Sequence, residues 1–582
     1  MPAPKSRRRA ARVAPERQRP AAAPPLGRAA AWWIFGAAFA LRAIHVLFLR
    51  DNPWFSFPII DAATYDAAAR SIASGHGHPD AVFWQPPGYA YFLGLLHALG
   101  AGAPLVTRLV QAALGGVTAL LTARLGALVF GRGVGIAAGW IVAGYGTLIH
   151  FDAELLPTAV GIPLQIGALL AAEHARRGPA WKGWALAGAL AGAAATVIAN
   201  ALLYAAAAAV AARRHAPAVI AAAALLVLPL TLRNAARGGE AVLISYNAGI
   251  NFYIGNNADP ERTIGVRPDL GWKTLSGEPG RQGIRGHAAS SNYFARKSLA
   301  WAAREPGAFA LLQGRKAAQL IGGHEIARNQ AIYPFRQWSP VLAATLWQHP
   351  WLAFPFGLLV PLAIVGLIVT WRRAPFLAAT LLLYAVSVVA FFVTARYRLP
   401  IVPLAAIFAA AGVAWFRGDP RIRPRALAGA GALAIAVLAN AGQPPASAEM
   451  NVDAEYSLGA ALLSARRPAE ARPWFERTVA RAPDYAEAWT NLGILAATEG
   501  RPEEAERAFT RAVESAPREG VVLVNLARWR ERQGRFGEAL SLYERAVASD
   551  PGDREVRARL DALRAGRTAE RAGPPSAPRS VR

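Results

Sequence analysis

Long apolar runs alternate along this chain with short clusters of arginine and lysine, and that pattern leaves few folds open. A helix of about 20 apolar residues crosses the roughly 30 Å hydrocarbon core of a bilayer. Residues 30–49 form the first such run. Others lie near 104–123, 133–150, 155–172, 183–198, 199–212, 217–232, 352–370, 375–394, 399–416 and 426–440, so the pattern predicts about eleven spans. The stretches 183–198 and 199–212 are short for spans. Basic residues fall between the runs in five groups. These are Arg124 and Arg132; Arg176, Arg177 and Lys182; Arg213 and Arg214; Arg372 and Arg373; and Arg417, Arg421, Arg423 and Arg425. With all five in the cytoplasm the alternation closes, because basic loop ends stay on the inner side. The segment 88–100 (GYAYFLGLLHALG) then does not cross, and its length suits an interfacial or re-entrant helix.

Composition agrees with a bilayer protein. The chain is 54% hydrophobic and 17% charged, whereas soluble domains are about one quarter charged. The net charge of +26 is dispersed between apolar runs, so it reads as loop ends and not as a nucleic-acid face. Cysteine is absent, which excludes disulfides, a thiolate metal site and a cysteine nucleophile. Residues 1–28, rich in Arg, Ala and Pro, are expected to be disordered and cytoplasmic. The first run reads as an uncleaved anchor, since a signal peptide has a shorter apolar core. Arg42 within it either snorkels or faces the protein interior.

This topology sorts the acids. Between residues 30 and 232 stand Asp51, Asp61, Asp66, Asp80, Asp152, Glu154 and Glu173, and all but Glu173 fall on expected outer loops. Solvated loop ends are one reading. The other is that Asp61 and the Asp152/Glu154 pair converge on an outward-facing cavity, where paired acids serve proton transfer or hold a metal. The polar stretch 61–91 (DAATYDAAARSIASGHGHPDAVFWQPPGYAY) would be one wall. Trp84, Tyr89 and Tyr91 in it either stack on sugar or lipid, or pack in a core or interface.

A loop from 233 to 350 follows. Its segment 246–257 (YNAGINFYIGNN) mixes turn residues with aromatics, which suits sugar stacking or ordinary packing equally. Residues 288–321 are expected to be helical, with Arg315 and Lys316 near the end facing lipid phosphates. Late in the chain Arg396-Tyr397-Arg398-Leu399-Pro400 sits on the expected outer side, against the positive-inside trend. Such arginines are either interfacial anchors or an anion site.

Asp61 with Tyr65, the Gln85-Pro86-Pro87 turn, the acidic Asp152/Glu154 loop and the RYRLP turn occur in an order that resembles GT-C type membrane glycosyltransferases. The resemblance is to the protein O-mannosyltransferase and lipid A aminoarabinose transferase superfamily, over residues 30–420. It implies a polyprenyl-phosphate sugar donor and transfer on the outer face. It implies Asp61 as the essential acid and Asp152 or Glu154 as the second-loop acid. It also implies Tyr65, Gln85, Pro86 and Pro87 at the substrate, and Arg396, Arg398 and Lys316 at the donor phosphate. A divalent cation is left open. Two positions depart from the pattern: Gln85 stands where many relatives carry Lys, and Asn200 where many carry a basic residue.

Beyond the linker 441–451 the chain repeats itself every 34 residues. Leu458, Leu492 and Leu526 are in register, as are Ala471, Ala505 and Ala539; Phe475, Phe509 and Tyr543; and Pro483, Pro517 and Pro551. This resembles tetratricopeptide repeats starting near Val452, Ala486 and Gly520. Small residues let paired helices approach, and large ones fill the gap. Such a solenoid usually binds a protein or peptide.

The expected architecture is therefore all-α: a polytopic helical bundle over 29–440, with outer loops 50–103 and 233–350, then a solenoid over 452–566 and a disordered tail over 567–582. With eleven spans in a cell (inner) membrane the solenoid lies outside, beside the site. The expected function is sugar transfer to an acceptor hydroxyl, with membrane lipids and a protein or peptide as partners and no nucleic acid. The alternatives are a polysaccharide ligase or polymerase, and a non-enzymatic scaffold or transporter.

Overall fold

The computed structural model describes residues 26–178, 181–418, 422–442, 450–550 and 552–565. The expected disordered N-terminus up to residue 25, most of the linker 441–451, Arg421 and the tail 567–582 lie outside the described residues.

The two architectures expected from sequence are both present, and helix dominates each. Each expected span is helical over most of its length. By length and composition together, however, the described residues hold five helices fit to cross a membrane, or six if one bent pair counts as a span. The eleven-span count exceeds this for identifiable reasons. Trp181–Val197 and Pro375–Ala390 are only 17 and 16 residues long. Residues 199–238 pass as one apolar stretch, but Arg213 at φ +51° separates Leu202–Ala212 from Ala216–Gly238. The run at 133–150 is Arg132–Ala143 and Gly146–Ala153, bent by 54°.

Small residues set how closely the bundle packs. A Cβ on Gly188 would meet the backbone of Val219, and one on Gly192 would meet Ala223 at 2.8 Å. The Trp181–Val197 and Ala216–Gly238 helices therefore touch backbone to backbone through a small-xxx-small seam. The segment 88–100 forms one short helix, Gly88–Ala98. It packs on Asp61–Ala73 and seats its N-terminus at Thr196, where only glycine fits at position 88.

Two local expectations are corrected. The helix expected over 288–321 is two helices, His287–Arg304 and Pro306–Ile321. Pro306 lacks an N–H and clashes with the preceding turn, so it starts a new helix. The span expected from 352 begins as an antiparallel ribbon, Trp347–His349 with Leu352–Phe354, and its helix starts at Phe356.

The solenoid contains the helix pairs Val452–Ser464 and Pro468–Arg481, Ala486–Thr498 and Pro502–Ser515, and Gly520–Arg532 and Phe536–Ser549, followed by Arg554–Arg564. The turn inside each pair needs a left-handed residue. Arg466 (φ +59°), Gly500 (+70°) and Gly534 (+75°) fill that place at the 34-residue step.

The solenoid is fused to the bundle. Trp54 after the first span donates from Nε1 to the Ala454 carbonyl at 3.3 Å and meets Trp474 edge-on at 5.2 Å. Trp54, Phe55 and Phe335 share one apolar core with Tyr456, Leu458 and Phe475. On the other flank, Arg267 grips the Asp484 carboxylate with both contacts at 3.0 Å, and the Tyr456 hydroxyl meets Asp269 at 2.8 Å.

Candidate active site between the bundle and the repeats

Where the helix ends of the bundle meet the first repeat, the structure holds a cavity of about 1230 Å³. One wall is apolar and comes from helix ends of the bundle: Val197, Ile198, Val388, Phe391 and Phe392. A polar wall carries Asp61, Gln85, Arg328, Asn329, Arg396 and Tyr397. The third side is the first repeat helix together with the strap around Asp269 and Trp272.

Asp61 is the first residue of the Asp61–Ala73 helix. Its carboxylate accepts from Arg396 at 2.8 Å and from the Gln85 amide at 3.3 Å. Burial pushes this carboxyl upward, but the Arg396 charge and hydrogen bonds to Arg396 and Asn329 outweigh it and hold it below the usual carboxylate range. Asp61 is therefore ionised at neutral pH. The residue before it, Ile60, has φ +52°. A β-branched side chain rarely adopts that conformation, so the backbone is strained at this acid.

The Trp-Gln-Pro-Pro-Gly turn delivers Trp84, Gln85 and Pro86 to the cavity, while Pro87 caps the Gly88–Ala98 helix behind it. Trp84 meets Tyr246 at 5.0 Å and Trp272 at 5.8 Å, both edge-on. Tyr65 lines the cavity and leans edge-on against the buried Tyr89. Of the three aromatics of this stretch, Trp84 reaches the cavity, Tyr89 is core and Tyr91 is exposed. Asn247 and Asn251 from the loop aromatics segment also reach the cavity. Both departures from the family pattern, Gln85 and Asn200, line it, and each has a buried oxygen without a partner: Gln85 Oε1 and Asn200 Oδ1. A buried acceptor without a donor is costly, which makes both oxygens ready sites for a ligand hydroxyl.

Besides Pro87, four expected site residues are elsewhere. Asp152 is buried inside the bundle, where its Oδ2 accepts from Arg42 Nε at 2.6 Å. Gly115 leaves room for that pair, since a Cβ there would strike both side chains. Arg42 thus faces the protein interior and does not snorkel. Arg398 donates to Glu325 at 2.7 Å and to the carbonyls of Gly322 and His324, so it locks the Gly322–Glu325 turn instead of facing the cavity. Lys316 is buried against the Gly255 and Phe391 carbonyls and Asn256 Oδ1. Burial lowers its ammonium to about 8. Glu154 borders a separate small pocket with Arg108, sharing Pro58, Ile59 and Asn329 with the main cavity. Burial pushes the Glu154 carboxyl up, against the pull of Arg108.

Arg328, a position outside the motifs expected from sequence, also lines the cavity, within reach of the Asp61, Arg396 and Asp453 charges. Its signal was the polar stretch HEIARNQ in a largely apolar neighbourhood. Among the described residues no group of three or more His, Asp or Glu side chains is placed to hold a metal ion.

The repeat pattern is matched independently. A tetratricopeptide-repeat family model aligns to residues 427–486, 456–520 and 490–554. The C-terminal domain is a tetratricopeptide-repeat domain. No curated protein matches the chain significantly. Among solved structures, the oligosaccharyltransferase of Archaeoglobus fulgidus in its apo form is similar at 16% identity and a TM-score of 0.39, over 73% of this chain and 58% of that one. The same organism's oligosaccharyltransferase AglB, in complex with an inhibitory peptide and a dolichol-phosphate, aligns at 15% identity and a TM-score of 0.38, over 79% and 58%. The chain thus spans less than two thirds of these structures' length.

Proposed function

We propose that the chain is a GT-C type membrane glycosyltransferase that moves a sugar from a polyprenyl-phosphate donor to an acceptor hydroxyl on the outer face of the cell membrane. The observation that carries this reading is the cavity itself. It sets an ionised carboxylate and two guanidinium groups, Arg396 and Arg328, beside an apolar wall built from helix ends. The apolar wall suits a polyprenyl chain, and the arginines suit its phosphate through charge-assisted hydrogen bonds.

The steps follow from these groups. Asp61 accepts the proton of the acceptor hydroxyl as that oxygen attacks the anomeric carbon. The bond from that carbon to the phosphate oxygen breaks, and the departing polyprenyl phosphate keeps the electron pair. Arg396 and Arg328 stabilise the charge that develops on it. Arg396 is hydrogen-bonded to Asp61, which makes Asp61 a weak base. A phosphate that draws on Arg396 reduces that stabilisation and raises the basicity of Asp61 when substrate is present. Tyr65, Gln85 and Pro86 line the substrate, and Pro87 positions the turn. Asp152, Arg398 and Lys316 serve the fold in this reading, and Glu154 shapes the floor behind Asn329.

The bundle crosses the inner membrane about eleven times in this reading, with cavity and repeats both outside. A transfer assay with polyprenyl-phosphate sugars tests it: Asp61→Asn is expected to lower the rate by roughly 10²–10⁴-fold. Rates equal to the native protein's would overturn it.

A further inference from the structure

The first repeat helix, Val452–Ser464, has two faces. Ala454, Tyr456, Leu458 and Leu462 are buried in the core shared with Trp54 and Phe475. Asp453, Ser457, Ala460, Ala461 and Ser464 lie along the other side, and all of them line the cavity that holds Asp61. This is a stripe at helical spacing, so a whole helix face is given over to the cavity. Asp453 is fixed by the Tyr485 hydroxyl at 3.0 Å. Its charge and that of Asp61 both act on Arg328. The guanidinium of the bundle thus shares the cavity with an acid of the bundle and an acid of the repeats.

We infer that this helix is a wall of the transfer site, and that Asp453 and Ser457 contact a hydroxyl-rich glycosyl group held beyond the phosphate. The inference rests on the transferase reading above. With the lipid on the apolar wall and the phosphate at Arg396 and Arg328, the remaining space is bounded by the repeat helix. A carboxylate accepts hydrogen bonds from sugar hydroxyls, and a serine hydroxyl both donates and accepts. Ser457 uses its proton on the Asp453 carbonyl, which leaves its lone pairs to the ligand. Ala460 and Ala461 keep the wall low enough for a sugar ring. The repeats are therefore part of the site, in addition to any partner they bind. The group they contact belongs either to the donor or to the acceptor, and substrate titrations distinguish the two.

The test uses the full-length protein in lipid nanodiscs. Ala461→Trp fills the cavity from a half-buried position that lines it, and is expected to lower transfer at least ~10-fold. The control Ala469→Trp, on an exposed position of the next helix, leaves transfer unchanged. Asp453→Asn and Ser457→Ala are expected to raise KM several-fold for one substrate while kcat changes less. A rise in donor KM assigns the donor sugar, and a rise in acceptor KM assigns the acceptor. Thermal melting separates these effects from unfolding. If Ala461→Trp melts early, the KM values of the two smaller variants decide. Unchanged KM and kcat in Asp453→Asn and Ser457→Ala, with Asp61→Asn inactive, would overturn the inference alone. An active Asp61→Asn would overturn the transferase reading beneath it.

Discussion

Two arginine–carboxylate pairs, both formed between residues far apart in sequence, are used in opposite ways. At the cavity, Arg396 holds Asp61, with side chains 13% and 21% exposed. Inside the bundle, Arg42 holds Asp152, with side chains 1% and 6% exposed. Arg398 with Glu325 belongs to the second kind, at 1% and 3%. An open pair can exchange its partner for a ligand's phosphate or hydroxyl. A closed pair has no such exchange available, because removing either member leaves a buried charge uncompensated. Charge and spacing are alike in the two cases; access to the cavity separates them.

Swapping the acids should separate activity from stability. Asp61→Asn should cost transfer roughly 10²–10⁴-fold, seen in single-turnover assays, with little change in melting. Asp152→Asn should do the reverse. Unfolding should become easier by about 3–5 kcal/mol, read by thermal or denaturant melts in detergent, while the activity of the folded fraction persists. Equal loss of activity per folded molecule in both variants would erase the distinction.

A third buried acid extends the comparison into the solenoid. Glu487 occupies in the second repeat the place of Asp453 in the first, but it is 4% exposed, and burial pushes its carboxyl up to about 7. The folded state then binds the extra proton between the ordinary glutamate value and about 7, so this residue costs stability as pH rises through that window. Glu487→Gln should raise the repeat domain's stability on the order of 2–3 kcal/mol at pH 8, and hardly at all at pH 4. A melt series over pH reads this. A gain that does not depend on pH would show that repacking, not ionisation, is responsible.

The smallest effect concerns backbone. Arg466 occupies a left-handed position that glycine fills in the other two repeats. Arg466→Gly should stabilise the solenoid by about 1 kcal/mol. It lies away from the cavity wall, so transfer should not change.

Sequence periodicity carried the architecture a long way. Apolar length and arginine placement located the helices of the bundle, and a 34-residue step located every helix pair of the solenoid, because these signals are local and repeat along the chain. The break at Arg213 was legible, since the basic pair Arg213 and Arg214 parts the runs 199–212 and 217–232, whereas length and hydropathy do not reveal the bend between Ala143 and Gly146. Asp61, Gln85 and Arg396 were readable from motif order, and the structure brings them within hydrogen-bonding distance. Arg398, two residues from Arg396, could not be told apart from it. A short helix at 395–398 turns one guanidinium to the cavity and the other to Glu325. The part played by Asp453 was hidden for a further reason. Its own segment identifies it as one position in a repeat, and only the docking of the first repeat helix against Trp54 and Asp269 brings that position into the cavity that Arg328 lines. Local pattern determined which helices exist. Which charges share a cavity was decided by tertiary packing, because Coulomb and hydrogen-bond energies depend on distances and solvent exclusion that no linear spacing specifies.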